Sequence, residues 1–288
     1  MEDLSRLKAR IANLQELQSL IRALRALAAT RVQEAQSSLA GVLSYVGAIE
    51  DAIAEGLGLL PELDGCRPAD GRSGPNVLIA VCAEQGFVGG FNEQLLERAE
   101  SELAAEGPWE LAIVGRRGGA QAAERGLPVA WDFPMATHVG GVVAVTRRLA
   151  ETLRAAGRAR LIYAAYRQGG GFEVEVKDIL PLDPAIAARA GRRSAPLHHL
   201  PPGLLLQRLE SEYLFAEATR AVMQSLASEN AARLRVMEAA THKIDDKLAT
   251  LGRRERAERQ EAITAELLDV IIGAQAVLEM PQVGATRP

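Results

Sequence analysis

The sequence predicts an α/β protein built on a long antiparallel two-helix coiled coil, formed by the N- and C-terminal arms, with an inserted doubly wound α/β domain. Three observations carry that expectation. Eleven of the thirteen prolines lie between Pro61 and Pro202, while residues 1–60 and 203–280 contain none. Proline in a helix interior costs about 3 kcal/mol, so two proline-free arms flanking a proline-dotted middle read as two long helices around a globular insert. Both arms repeat apolar residues in steps of three and four, and the middle carries continuous apolar runs bounded by turn residues.

The first arm presents Leu4, Leu7, Ile11, Leu14, Leu17, Ile21, Leu24, Ala28, Val32, Ala35, Leu39, Val42, Val46, Ile49 and Ile53. Their mean spacing is close to the 3.5 of a supercoiled seam, and the step from Leu14 to Leu17 predicts a local stammer. Gly56-Leu57-Gly58 and Pro61 end it. The second arm starts after Pro201-Pro202-Gly203 and carries Leu209, Tyr213, Ala216, Val222, Leu226, Leu234, Met237, Ile244, Leu248 and Leu251, resuming at Ile263, Leu267, Val270 and Ile271. A single helix over 203–279 is about 115 Å long at 1.5 Å per residue, and no small domain buries such a rod. It needs a partner, and the first arm is the simplest one. Between its two apolar stretches, residues 252–261 are almost wholly polar. They read either as a solvated, ion-paired helix surface or as a surface that meets polar groups on another protein.

In the middle third, Asn76–Cys82, Glu110–Gly115 and Arg160–Tyr166 are apolar enough for strands covered on both faces. Leu127–Trp131 reads as a weaker strand, Phe172–Lys177 alternates like an edge strand, and helical patterns fall near 92–105, 120–125 and 139–156. Strands alternating with helices imply a largely parallel sheet. The expected division is therefore an N-terminal coiled-coil helix (1–60), a linker (61–75), a Rossmann-like domain (76–180), a connector (181–203), a C-terminal coiled-coil helix (204–280) and a tail (281–288).

Composition narrows the chemistry. A net charge of −4 supplies no global basic field for nucleic acid. Two cysteines, Cys66 and Cys82, make no disulfide framework and point to a reducing compartment. The N-terminus lacks the apolar segment of a secretory signal, and no stretch is long and apolar enough to cross a bilayer. Arginine supplies 29 of the 33 basic residues; the lysines are Lys8, Lys177, Lys243 and Lys247. His138, His198, His199 and His242 lack partners at metal-ligand spacing, Cys82 reads as inert core and Cys66 as a loop thiol. Gly86-Phe87-Val88-Gly89-Gly90 follows the first strand, yet its spacing departs from Gly-x-Gly-x-x-Gly, and Glu106, at the ribose-binding distance, falls at a helix end. We therefore read Gly86, Gly89 and Gly90 as a structural turn. No P-loop and no nucleophile elbow is present, and no catalytic residue, metal ligand or cofactor is assigned.

Four motifs, in order along the chain, then resemble the gamma subunit of F-type ATP synthases. Leu27-Ala28-Ala29-Thr30-Arg31 is similar to that family's Val-Ala-Ala-x-Lys element. Gln85-Gly86-Phe87-Val88-Gly89-Gly90-Phe91-Asn92 looks like its Arg-Gly-Leu-Cys-Gly-Gly-Phe-Asn turn. Ala227-Ser228-Glu229-Asn230-Ala231-Ala232-Arg233-Leu234 and Met237 resemble its Ala-Ser-Glu-x-Ala-Ala-Arg-Met…Met segment. Arg259-Gln260, Ile263-Thr264 and Gly273-Ala274 match its C-terminal pattern.

The resemblance implies a non-catalytic central-stalk rotor that couples ion-driven rotation of a membrane ring to conformational change in an alpha/beta hexamer. Its implied partners are the alpha and beta subunits, the epsilon subunit and the c-ring, at the cytoplasmic face of the bacterial inner membrane. It places Arg259, Gln260 and Thr264 against a beta-subunit loop, with Arg22, Leu24 and Arg25 near the same contact zone. The chain departs from the family at Gln18–Leu24, where a lysine and a threonine are lost, at Gln85 and Val88, and at Glu255-Arg256. These departures imply a divergent branch, such as the gamma of an alternative ATPase operon. Two other readings of the residues are a cofactor-binding α/β enzyme using Gly86–Gly90 and an ATP-independent coiled-coil scaffold.

Overall fold

The computed structural model describes residues 2–59, 73–105, 107–167, 169, 171–189 and 197–278. Cys66, Glu106 and the tail 281–288 lie outside them. The elements in chain order are α1 (Glu2–Leu57), β1 (Asn76–Val81), α2 (Phe91–Ala105), β2 (Glu110–Val114), α3 (Arg116–Glu124), β3 (Val129–Phe133), a 3₁₀ turn (Val139–Gly141), α4 (Val142–Ala155), β4 (Arg158–Arg167), β5 (Gly171–Leu180), α5 (Pro184–Ala188) and α6 (Pro202–Leu278). The chain forms two compact units, Arg25–Met237 and a smaller one made of Met1–Leu24 with Glu238–Pro288.

The larger unit is organised by a five-stranded sheet in the order β3-β2-β1-β4-β5. β3, β2, β1 and β4 run parallel to one another, and β5 runs antiparallel to β4 on the edge. Val77 to Val81, Leu111 to Val114 and Leu161 to Ala165 are all buried, because helices cover both faces. On one face Leu78, Ala80, Leu111, Ile113 and Ile162 pack with Leu95, Leu96 and Ala99 of α2 and Ala122 of α3. On the other, Val77, Ile79, Ala112, Leu161 and Tyr163 pack with Leu149 and Leu153 of α4 and with Ala35, Ile53, Leu214, Ala218 and Val222 of the two long helices. Within this unit α1 and α6 run antiparallel. The Tyr45 hydroxyl donates to Glu212, whereas Gly56, further along α1, lies against Leu206, further back on α6.

The sheet departs from the sequence expectation in places with clear causes. β3 begins at Val129, two residues late, because the Leu127 amide donates to the Ala122 carbonyl and closes the turn after α3. The 139–156 helix opens as a 3₁₀ turn across Gly140-Gly141, where two glycines weaken the helix start, and becomes regular at Val142. β5 extends beyond Phe172–Lys177 to Leu180, because buried Ile179 and Leu180 carry the ladder into the core. The connector contains α5.

In the smaller unit, Leu7, Ile244 and Leu251 are buried, with Ile11, Leu14, Ile21 and Leu248 half-buried. The seam here corrects the expected stammer. Leu17 is 43% exposed, and the half-buried position is Gln18, so the steps Leu7, Ile11, Leu14, Gln18, Ile21 alternate regularly. Gln18 donates its side-chain amide to Asp245, giving this polar seam residue a partner.

Candidate functional site

Two places carry the residues that sequence reasoning singled out. The first is the end of α6 in the smaller unit. Arg259, Gln260 and Thr264 are all exposed, and the Thr264 hydroxyl donates back to the Gln260 carbonyl at 2.8 Å. That bond fixes the hydroxyl along the helix and leaves its lone pairs facing outward. The polar stretch is continuous helix, supported by an Arg254–Glu258 pair at 2.6 Å. Beyond it, Ile263, Leu267, Leu268, Val270, Ile271 and Ile272 are between 50% and 69% exposed. At 100° per residue these six fill one arc of about 200°, and Glu266, Asp269 and Gly273 fall together on the remaining face.

Arg22 and Leu24 do not join that group. Arg22 lies 3.9 Å from Asp245, which precedes Arg259 by 14 positions (259 − 245). At 1.5 Å per residue the offset is about 21 Å along the helix. Leu24 is half-buried; Arg25, the first residue of the larger unit, is exposed.

The second place is the turn after β1. Gly89 alone of the three predicted turn glycines has a positive φ, at 59°, and Phe87 shares that conformation at 61° while standing 69% exposed. Gly86 acts instead through its carbonyl, which Arg233 of α6 reaches at 3.2 Å. The same guanidinium donates to Gln85 O at 3.3 Å, Asn230 Oδ1 at 3.1 Å and Glu229 Oε1 at 2.6 Å. Arg233 and Glu229 are both buried. Burial pushes the Glu229 carboxyl above the usual carboxylate range; Arg233 and the Gln85 and Glu84 amides pull it back. A glycine required on two counts, conformation and space, lies after β2. Gly115 has φ 111°, and a Cβ there falls 2.6 Å from the Cys82 carbonyl oxygen.

Helix α6 also fills the crevice that a cofactor needs. In doubly wound sheets ligands bind beyond the strand C-termini where the strand order reverses, here between β1 and β4. The paired register of those strands ends at Ala80 opposite Ile162. Just past it the Ser225 hydroxyl accepts from the Ala164 amide at 3.2 Å and donates to the Val81 carbonyl at 3.1 Å, standing in for a ladder bond. Ser228 donates to the Ala164 carbonyl at 2.9 Å, and Gln224 accepts from the Tyr166 amide at 2.7 Å. The arrangement replaces a ligand site with a docked helix, so the cofactor-enzyme reading loses its crevice. Sequence reasoning quoted Ser228, Glu229 and Arg233 only as part of a motif and missed Gln224 and Ser225. Their spacing is that of any helix face, and nothing local announces the backbone groups they meet.

The comparisons with known proteins agree with this geometry. A family model described as ATP synthase matches residues 3–277. A protein named ATP synthase gamma chain from Lachnoclostridium phytofermentans is 23% identical over 290 residues, covering 96% of this chain and all of its own. The namesake from Fuscovulum blasticum is 28% identical with the same coverages. Among solved structures, a chain of the Euglena gracilis mitochondrial ATP synthase (OSCP/F1/c-ring) superposes with a TM-score of 0.69 at 12% identity, covering 100% of this chain and 98% of that one. A chain from the Tetrahymena thermophila mitochondrial ATP synthase central stalk and c-ring gives 0.58 at 17%, covering 77% of this chain and 99% of that one. With the family model spanning all but the extreme ends and the gamma chains aligned along their whole length, this chain belongs to the gamma-subunit family of F-type ATP synthases.

Proposed function

We propose that this chain is the non-catalytic central-stalk rotor subunit of an F-type ATP synthase/ATPase, coupling ion-driven rotation of the membrane ring to conformational change at the catalytic sites of the alpha/beta hexamer. The observation that carries the reading is the end of α6. Its exposed apolar residues form a face somewhat wider than half the helix, and no described residue of the chain covers them. An uncovered apolar face of that breadth marks an interaction surface, and in this reading the surrounding ring of subunits covers it. In this reading Arg259, Gln260 and Thr264 meet a beta-subunit loop, and Arg22 and Arg25, with half-buried Leu24 between them, form a second contact further along. The larger unit meets the epsilon subunit and the c-ring. No helix among the described residues is long and apolar enough to cross a membrane. In the rotor reading the subunit associates peripherally with the membrane-bound complex, at the cytoplasmic face of the bacterial inner membrane.

Replacing Arg259 and Gln260 by alanine in the assembled complex tests the contact. Each interfacial hydrogen bond contributes about 0.5–1.5 kcal/mol, roughly two- to ten-fold apiece, so losing both contacts lowers ATP turnover about five-fold or more. Unchanged turnover removes these residues from the mechanism. Co-purification tests the assembly: one copy of this chain per alpha/beta hexamer is expected, and a homodimer free of other subunits returns the coiled-coil scaffold reading.

A further inference from the structure

Apart from the two sites above, the larger unit holds a concentrated set of buried charges where the edge strand of the sheet meets both long helices. Lys177 of β5 places its ammonium 2.7 Å from Glu217 Oε1 of α6 and 3.7 Å from Glu50 Oε1 of α1. The Glu217 side chain is 1% exposed, that of Glu50 11% and that of Lys177 24%. The second Glu217 oxygen takes Arg220 at 3.0 Å, and Arg220 in turn donates to the Tyr163 hydroxyl at 3.0 Å. Tyr163 completes the circuit by donating to Glu175 of β5 at 2.6 Å. Arg189, just after α5, holds the other Glu50 oxygen at 2.7 Å.

Buried ions are weak contributors to net stability, because desolvation offsets most of the attraction. What such a cluster supplies is geometry: each partner is held in one place or left unpaired at high cost. Lys177 is the member that touches both helices at once. It is also one of four lysines in a chain that uses arginine at 29 basic positions. A compact ammonium can donate to two carboxylates on different elements, whereas a planar guanidinium favours one bidentate partner.

We propose that Lys177 is a positioning residue for torque. It clips the edge of the sheet to α1 and α6 together, so that a twist applied to the globular part reaches the helix pair without slipping. This rests on the rotor reading above. The test is the ratio of ion pumping to ATP hydrolysis in vesicles carrying the assembled complex. Lys177→Met lowers that ratio at least two-fold while hydrolysis by the complex persists. Glu50→Gln provides the second variant, because it keeps the buried Lys177–Glu217 pair and loosens the α1 side, its Arg189 ion pair included; a smaller fall in the same ratio is expected. A ratio equal to that of the unmodified complex in Glu50→Gln, with Lys177→Met either unchanged or unable to assemble, overturns the proposal. Should the unmodified complex pump no ions on ATP addition, the rotor reading itself fails, and the two failures are told apart by that control.

Discussion

Arg233 offers the sharpest perturbation of the larger unit. Arg233→Met keeps most of the side-chain volume and removes every donor. It deletes the bonds to Glu229, Asn230, Gln85 and Gly86, and leaves Glu229, 3% exposed, without its cation. Breaking a buried ion pair by removing one partner costs about 3–5 kcal/mol. For a unit of this size 1 kcal/mol moves Tm by about 2–4 °C, so the melting point falls by roughly 10 °C. Trp109 and Trp131 both lie in the sheet region, which makes fluorescence-monitored urea unfolding of the full chain a direct assay.

The pH dependence has a definite sign. Burial raises the folded-state pKa of Glu229 above its ordinary 4.5, so its contribution to stability is fully present below that value and is lost as pH rises through the raised one. Without Arg233 the window stretches upward, and the deficit of the variant is larger at pH 7 than at pH 5. Adding Glu229→Gln to Arg233→Met recovers part of the loss, since no unpaired charge remains. A deficit below about 1 kcal/mol, or a double variant whose losses simply add, refutes the clamp.

Two more outcomes follow from the same region. Ser225→Ala strands the Ala164 amide and the Val81 carbonyl beyond the end of the β1–β4 ladder and lowers stability by about 1–3 kcal/mol in the same urea assay, whereas a surface serine would cost almost nothing. The Cys82 thiol is wholly buried and pushed up to about 12 by burial and the nearby Glu229, so iodoacetamide at pH 8 leaves its peptide unmodified by mass spectrometry until urea unfolds the chain.

Much of this architecture was legible in the residues, for physical reasons that can be named. Proline exclusion and three-four spacing announce long helices because an interior proline costs about 3 kcal/mol and the spacing gives a rod one continuous apolar stripe. The runs at Val77–Val81 and Leu111–Val114 announce strands because covered strands need no polar face. Tertiary detail was less legible. Gln18 takes a seam position that a leucine one residue earlier seemed to claim, since only the partner Asp245 makes a polar residue welcome there. The docking of α6 across the sheet was hidden because Ser225, Ser228 and Arg233 bond to backbone groups far away in sequence. At the end of α6 the apolar residues were readable, but the spacing could not tell that Arg22 sits well along the helix from Arg259.

The central claim is that this chain turns. With Cys66 replaced by serine and Cys82 buried, a cysteine introduced at exposed Glu97 of α2 gives a unique attachment point for a gold nanorod on the assembled, surface-anchored complex. ATP should drive the rod in one direction with three pauses per revolution, one for each catalytic site of a three-fold ring. A rod that stays fixed while the same complexes hydrolyse ATP contradicts the account.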